Sequence, residues 1–158
     1  SETKRQHHSP TTINQEIDMT SPSHTKLALL SLRVSLFLLM IVWAYLKIAA
    51  PVSYAGDGAE RAGIFAGFYG VSIGQNIVLA IGYLQIAFLL AYLAGLFKTI
   101  TVGGVLLMNI ATLIVSMPKI LNPFEQPNLL FLASVPILGA SLAHFLMRKD
   151  DTLLSLGK

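Results

Sequence analysis

The chain has 158 residues, of which 54% are hydrophobic and only 12% are charged. Soluble domains usually carry about 25% charged residues, so this composition excludes a water-covered surface and predicts an integral membrane protein. The absence of cysteine excludes disulfides, thiolate metal sites and iron–sulfur ligation. The formal net charge is only +3 and the cations are spread along the chain, which argues against nucleic acid as a partner.

Residues 1–26 form a polar N-terminal tail rich in Ser, Thr, His, Gln and Asn. This composition is typical of a disordered segment, because it offers too little apolar surface to build a core. The tail lacks the short apolar run and cleavage site of a signal peptide. His7 and His8 are therefore interpreted as part of a solvated tail and not as metal ligands.

The first predicted membrane span covers residues 27–50, LALLSLRVSLFLLMIVWAYLKIAA. As a helix it would be about 36 Å long, which exceeds the roughly 30 Å hydrocarbon core of a bilayer. Arg33 and Lys47 lie towards its two ends, where we expect them to reach the headgroups. Trp43 and Tyr45 are expected to anchor it at the interface. Alternatively, Trp43 and Lys47, four residues apart, share a face that lines a polar pocket.

A short amphipathic helix is predicted between the first two spans. Pro51 should stop the first helix, and the Asp57-x-x-Glu60 pattern resembles a capping box that opens a helix over residues 58–69. Its apolar side chains are expected on one side, facing the membrane: Ile64, Phe65, Phe68 and Tyr69. Such a helix either seals the end of a bundle or admits a lipophilic ligand.

Three more spans are predicted, over residues 76–97, 100–117 and 128–147. Gly82 and the Gly103-Gly104 pair should allow close helix packing. Pro118 is expected to end the third span, and Pro136 to kink the fourth.

Together these segments predict an all-α fold, an integral membrane four-helix up-and-down bundle over residues 27–147, followed by a short C-terminal tail over 148–158. Cations are unequally distributed between its two sides, with two on one side, Arg61 and Lys119, and seven on the other. Those seven are Lys4, Arg5, Lys26, Lys98, Arg148, Lys149 and Lys158. Both termini should therefore face the cytoplasm of a bacterial inner membrane or, alternatively, the matrix of a mitochondrion.

The predicted spans contain no acidic residue, and His144 is the only histidine in them. This pattern argues against a bis-histidine haem, a zinc site or a Ser/His/Asp arrangement with a buried acid, and so against catalysis by this chain alone. Four polar or cationic side chains remain in the spans: Arg33, Lys47, Gln85 and Asn109. They either form interhelical hydrogen bonds or bind the polar head of a quinone, with Trp43 and Tyr83 stacking beside it.

Several stretches resemble the DoxX-like family of small four-span membrane proteins. They are LRVSLFLLMIVWAYLK, IFAGFYG, GYLQIAFLLAYLAGLFKT, GGVLLMNIATLIV and DDTLLSLG, which together extend over residues 27–157. The resemblance implies association with membrane redox systems, since some relatives are subunits of quinone-linked enzymes such as thiosulfate:quinone oxidoreductase. The second span of the family often carries a Glu where this chain has Gln85, so proton chemistry at that position is not carried over.

Three functions follow as hypotheses. The first is an accessory, non-catalytic subunit of a larger respiratory or redox complex, whose partners are other membrane subunits and lipids. The second is a subunit that contributes a quinone site from Arg33, Trp43, Lys47, Gln85 and Asn109, and the third is a small transporter. No cofactor is expected on this chain alone beyond a quinone or a structural lipid, no metal is expected, and Tyr45, Arg148 and Lys149 should serve as interface anchors.

Overall fold

The computed structural model describes residues 22–56, 63–125 and 127–157, and the regular elements within these ranges are all helices. In chain order they are α1 (Pro22–Ala49), α2 (Pro51–Ala55), α3 (Ile64–Tyr69), α4 (Gln75–Leu93), α5 (Lys98–Leu121), a 3-10 helix (Asn128–Ala133) and α6 (Ser134–Leu146).

Four helical stretches are long and apolar enough to cross a membrane: α1, α4, α5 and the continuous run of the 3-10 helix and α6. α1 packs against α4 and α6, while α5 packs against α6, the 3-10 helix and α4. The connection between α4 and α5 is the short turn 94–97, as predicted. The fold is therefore the expected all-α four-helix membrane bundle.

The buried apolar core lies where α1, α4 and α5 meet. It consists of Leu36, Met40, Ala44, Leu89, Tyr92, Val102 and Val105. Many large apolar side chains lie outside this core and are exposed on the bundle, for example Leu84 and Leu107. Because lipid is as apolar as leucine, such a surface is stable in a bilayer, and helix association there depends on close packing and polar contacts.

Glycines allow the helices to approach closely at two of the predicted positions. A Cβ at Gly82 of α4 would lie 2.9 Å from Cγ1 of Ile48 and 3.1 Å from Cβ of Lys47, both on α1. A Cβ at Gly104 of α5 would lie 2.4 Å from the ring of Phe88 on α4. The predicted packing role of these glycines is confirmed.

Several helix limits differ from the predicted span limits, and the proline predicted to kink the fourth span lies near the start of a helix. α1 begins at Pro22, five residues earlier than expected, because proline suits the first position of a helix. α5 continues through Pro118 to Leu121, since a proline in the last turn removes only one backbone hydrogen bond. Pro136 lies in the first turn of α6, after a 3-10 helix, so its missing N–H deprives no carbonyl within α6.

The predicted surface helix is described only in part. α3 covers Ile64–Tyr69, and each of its side chains is at least partly exposed. Its aromatic rings form three contacts. The centroid of Phe65 lies 5.8 Å from those of both Tyr54 and Tyr69, and the centroids of Phe68 and Phe131 are 5.7 Å apart. The predicted capping box at Asp57 and Glu60 lies outside the described residues.

Replacement of Gly82 by leucine should destabilise the bundle, because the new side chain would overlap α1. We expect the free energy of unfolding in detergent micelles to fall by roughly 1–3 kcal/mol. Gly139→Leu is the matched control, since no atom lies within 4 Å of a Cβ at that exposed position of α6. Equal stability of the two variants would contradict the observed packing of α4 on α1.

Candidate functional site

The most deeply buried charges of the described chain are Arg33 on α1 and Asp151, which follows α6. Each is only 1% exposed, and Nη1 of Arg33 lies 3.4 Å from Oδ2 of Asp151. Arg33 therefore points into the bundle, and the prediction that it extends to the headgroups is wrong. The reason is that an oppositely charged side chain is available inside, which offsets the cost of removing the guanidinium from water.

Asp151 reaches this position because the C-terminal segment, residues 151–157, folds back over the end of the bundle. Nη2 of Arg33 donates hydrogen bonds to the carbonyl oxygens of Leu153 and Leu154. The amide of Leu156 donates to the carbonyl of Ala94 at 2.9 Å, and the hydroxyl of Ser155 donates to the carbonyl of Gly95 at 3.2 Å. The predicted short tail is thus attached to both α1 and the turn between α4 and α5.

Gly95 makes this docking possible. Its φ of +68° is in the left-handed region, where a residue with a Cβ is strained. A Cβ there would also lie 2.5 Å from Oγ of Ser155 and 2.6 Å from Nη1 of Arg33. Any larger residue would push the C-terminal segment away from the guanidinium.

His144 and Tyr92 extend the ion pair into a buried polar chain. Nε2 of His144 lies 3.0 Å from Oδ2 of Asp151, and Nδ1 lies 2.9 Å from the hydroxyl of Tyr92. Since a carboxylate only accepts hydrogen bonds, Nε2 donates to it, and in neutral imidazole Nδ1 accepts from the phenol. Tyr92 and His144 are both 0% exposed, so this buried chain connects the core of α4 to the C-terminal segment.

The ion pair retains unused hydrogen-bonding capacity. Nε and Nη1 of Arg33 and Oδ1 of Asp151 have no hydrogen-bond partner among the described residues. At 3.4 Å the contact between the two side chains is an ion pair and not a well-aligned hydrogen bond. The two charges nevertheless depend on each other, because either one alone would be buried without compensation.

The sequence argument against a buried acid beside a histidine is therefore wrong. No acid lies within a predicted span, but the chain carries Asp151 into the interior from outside. The Tyr92–His144–Asp151 chain has the groups that move protons in proteins. Because all three side chains are buried, the described structure presents none of them to a substrate from the surface.

The residues predicted to hold a quinone do not share a cavity in the structure. Arg33 and Lys47 are 14 residues apart on α1, about 21 Å at 1.5 Å per residue, which is too far to bind one headgroup. Nδ2 of Asn109 donates to Oγ of Ser141 at 2.6 Å, joining α5 to α6. Nε2 of Gln85 lies 3.8 Å from the sulfur of Met108, joining α4 to α5.

The aromatic members of that predicted site face outwards. Trp43 is 52% exposed and Tyr83 is 61% exposed, so neither stacks against a ligand inside the bundle. Tyr45 is also exposed, and its role as an interface anchor stays a prediction.

Lys47, by contrast, is buried, and the expectation that it reaches the headgroups is wrong. Its Nζ donates to the carbonyl of Trp43 at 3.3 Å and lies 4.8 Å from the ring centroid of Tyr54 on α2. Burial and the neighbouring Tyr69 raise the pKa of the Tyr54 phenol, so it stays protonated at neutral pH and donates to the carbonyl of Trp43. α2 therefore covers the end of α1 opposite to the Arg33–Asp151 pair.

Two surface grooves flank the bundle. One, of about 440 Å³, is basic and is lined by Phe97, Lys98, Thr99, Ile100, Arg148 and Lys149. The other, of about 420 Å³, is mainly apolar and is lined by Gly67, Phe68, Val115, Pro118, Lys119, Pro127 and Phe131. Within the described ranges, no three His, Cys, Asp or Glu side chains come together in a way that could hold a metal ion.

One signal in the sequence could have revealed the Arg33–Asp151 pair. A buried arginine needs a partner, and the predicted topology placed the acidic Asp150-Asp151 dipeptide at the same end of the bundle as Arg33. His144 lies in the last turn of α6, only a few residues before that dipeptide. No periodicity in the sequence, however, indicated which of the two aspartates turns inwards.

Comparison of the chain with protein families, with curated proteins and with solved structures finds no match. The resemblance to the DoxX-like family therefore stays a prediction.

Removal of one member of the ion pair should be far more damaging than removal of both. Asp151→Leu leaves Arg33 buried without compensation and should lower the free energy of unfolding in detergent micelles by about 3–5 kcal/mol. The double variant Arg33→Met/Asp151→Leu should recover most of that loss.

Asp150→Leu is the control for this cycle, because Asp150 is the exposed neighbour of Asp151. We expect it to change the free energy of unfolding by no more than about 0.5 kcal/mol. If Asp151→Leu costs no more than Asp150→Leu, the buried pair does not stabilise the protein.

Proposed function

We propose that this chain is an accessory integral membrane subunit of a larger respiratory or redox complex. The observation that carries the proposal is the engagement of its buried polar side chains with one another across helices: Arg33 with Asp151, and Asn109 with Ser141. These contacts stabilise the bundle, because the buried polar side chains bind one another inside it. The redox context rests on the resemblance to the DoxX-like family.

The proposed partners are other membrane subunits and lipids, which would cover the apolar exterior. Large side chains such as Leu84, Leu107 and Leu130 are exposed on different helices. In a bilayer this surface favours lipid and apolar helices equally, so partner binding there would depend on shape and on polar contacts.

For its location we propose a bacterial inner membrane with both termini in the cytoplasm, with the mitochondrial inner membrane and the matrix as the alternative. The start of α1, the turn between α4 and α5 and the C-terminal segment lie at one end of the bundle. Apart from Arg33 and Lys47, which lie within the first span, the described cations at that end are Lys26, Lys98, Arg148 and Lys149, against Lys119 at the other. This excess favours the cytoplasmic or matrix side.

A quinone-binding subunit is the second candidate, and the Tyr92–His144–Asp151 chain favours it. Reduction of a quinone consumes two protons, which titratable groups in hydrogen-bond contact can supply. The five residues predicted to hold the quinone head would not all contribute to one such site, because Arg33 and Lys47 lie near opposite ends of α1.

The accessory role predicts stable co-purification with other membrane proteins. The chain should be isolated from native membranes in mild detergent, and the co-migrating proteins identified by mass spectrometry. We expect subunits of one redox enzyme in constant ratio to this chain. A lone monomer or a homodimer would contradict the proposal.

The same preparation distinguishes the two candidates. If the chain is accessory, the variants Gln85→Leu, Asn109→Leu and Tyr92→Phe should leave quinone reduction by the intact assembly within about twofold of wild type. A loss of about tenfold or more with normal assembly would instead favour a quinone site on this chain, because general acid–base groups contribute on that scale or above. Tyr83→Phe is the control for Tyr92→Phe, because the Tyr83 side chain is exposed.

A further inference from the structure

The basic groove lies at the end of the bundle that carries the Arg33–Asp151 pair. Lys98 begins α5, and Arg148 follows the end of α6 by two residues. The ends of two helices that are long and apolar enough to cross a membrane therefore meet there, and we expect the groove to lie at the depth of the lipid headgroups in a bilayer. Its volume, about 440 Å³, suits a phosphate-bearing headgroup.

The groove contains three cations and no compensating acid. Every ion pair among the described residues is made by Asp151. The groove cations Lys98, Arg148 and Lys149 therefore form no ion pair with a described acidic side chain. Asp150 follows Lys149 directly but does not line the groove. The cluster therefore attracts an anion.

Arg148 is held in place before any ligand arrives. Its Nη1 donates to the carbonyl of Phe145 at 2.7 Å, its Nε donates to Oγ1 of Thr99 at 3.4 Å, and its guanidinium lies 4.2 Å from the ring centroid of Phe145. These contacts orient the guanidinium without a carboxylate among the described residues. An arginine fixed in this way is suited to bind phosphate oxygens.

Two further features point to a lipid and not to a soluble anion. Phe97 and Ile100 line the same groove and are 74% and 67% exposed, so an apolar surface lies directly beside the cations. No side chain caps the start of α5, where the backbone N–H groups and the helix dipole also favour negative charge. A ligand with a phosphate and acyl chains satisfies both the charged and the apolar parts of this groove.

We propose that this groove binds the headgroup of an anionic phospholipid, with Arg148 and Lys98 on the phosphate and Phe97 and Ile100 against the acyl chains. The site is distinct from the buried Arg33–Asp151 pair and does not depend on the proposed subunit role. It gives Arg148 and Lys149 a specific ligand in place of a general anchoring role.

The test uses the full chain, purified and delipidated in detergent, with phosphatidylglycerol as the anionic probe and phosphatidylcholine as the neutral one. Native mass spectrometry measures the dissociation constant of the first bound lipid. Wild type should prefer phosphatidylglycerol, and Lys98→Gln/Arg148→Gln should weaken its binding by about tenfold. The charge-matched control Lys26→Gln/Lys119→Gln should change it by less than about twofold, because neither lysine lines the groove.

Several results would overturn the proposal. One is an equal loss of affinity for phosphatidylglycerol in both double variants, and another is a wild type that does not prefer phosphatidylglycerol to phosphatidylcholine. A third is displacement of the lipid by millimolar inorganic phosphate, which would indicate a site for the free anion. A photoactivatable phosphatidylglycerol tests wild type directly and so avoids any folding defect of a variant. Its adducts should map to residues 97–100 and 148–149, and adducts confined to other helix ends would also refute the site.

Discussion

The ion pair between Arg33 and Asp151 is the interaction on which the rest of the arrangement depends. A guanidinium buried inside a membrane bundle needs a counter-charge, and the chain supplies it from beyond its last span. That requirement draws the C-terminal segment over the bundle end and places Ser155 and Leu156 on the turn after α4. It also explains the glycine at position 95, where a Cβ would meet both the segment and the guanidinium.

The two ends of the bundle are closed in different ways. At one end an ion pair and backbone hydrogen bonds hold the C-terminal segment in place. At the other, α2 covers Lys47 with the ring of Tyr54, and aromatic contacts connect Tyr54 and Phe65 of α3. Loss of the carboxylate would leave an uncompensated buried cation at the first end, whereas the second end is closed by cation–π and aromatic contacts.

The internal contacts of the polar side chains bear on the function of the protein. Interhelical hydrogen bonds in membranes are individually weak, on average about 0.6 kcal/mol, so the bundle needs several of them together with tight glycine contacts. Asn109 and Ser141 join α5 to α6 in this way, and the Tyr92–His144 contact joins α4 to α6. A bundle stabilised from within presents its outer surface to lipid and to other membrane chains. The basic groove beside Arg148 is one part of that surface where charged and apolar side chains adjoin.

The sequence alone determined the four membrane spans, their up-and-down order and the packing role of Gly82, because these follow from the length, the hydropathy and the small residues of local segments. It could not determine where the polar side chains point. Arg33, Lys47 and Trp43 share one helix, yet the first two turn inwards and the third outwards. Only the tertiary structure showed that Asp151 contacts Arg33 and His144. The reason is that a buried charge is compensated by a partner whose position depends on the fold, and no periodic pattern in the sequence indicates that partner.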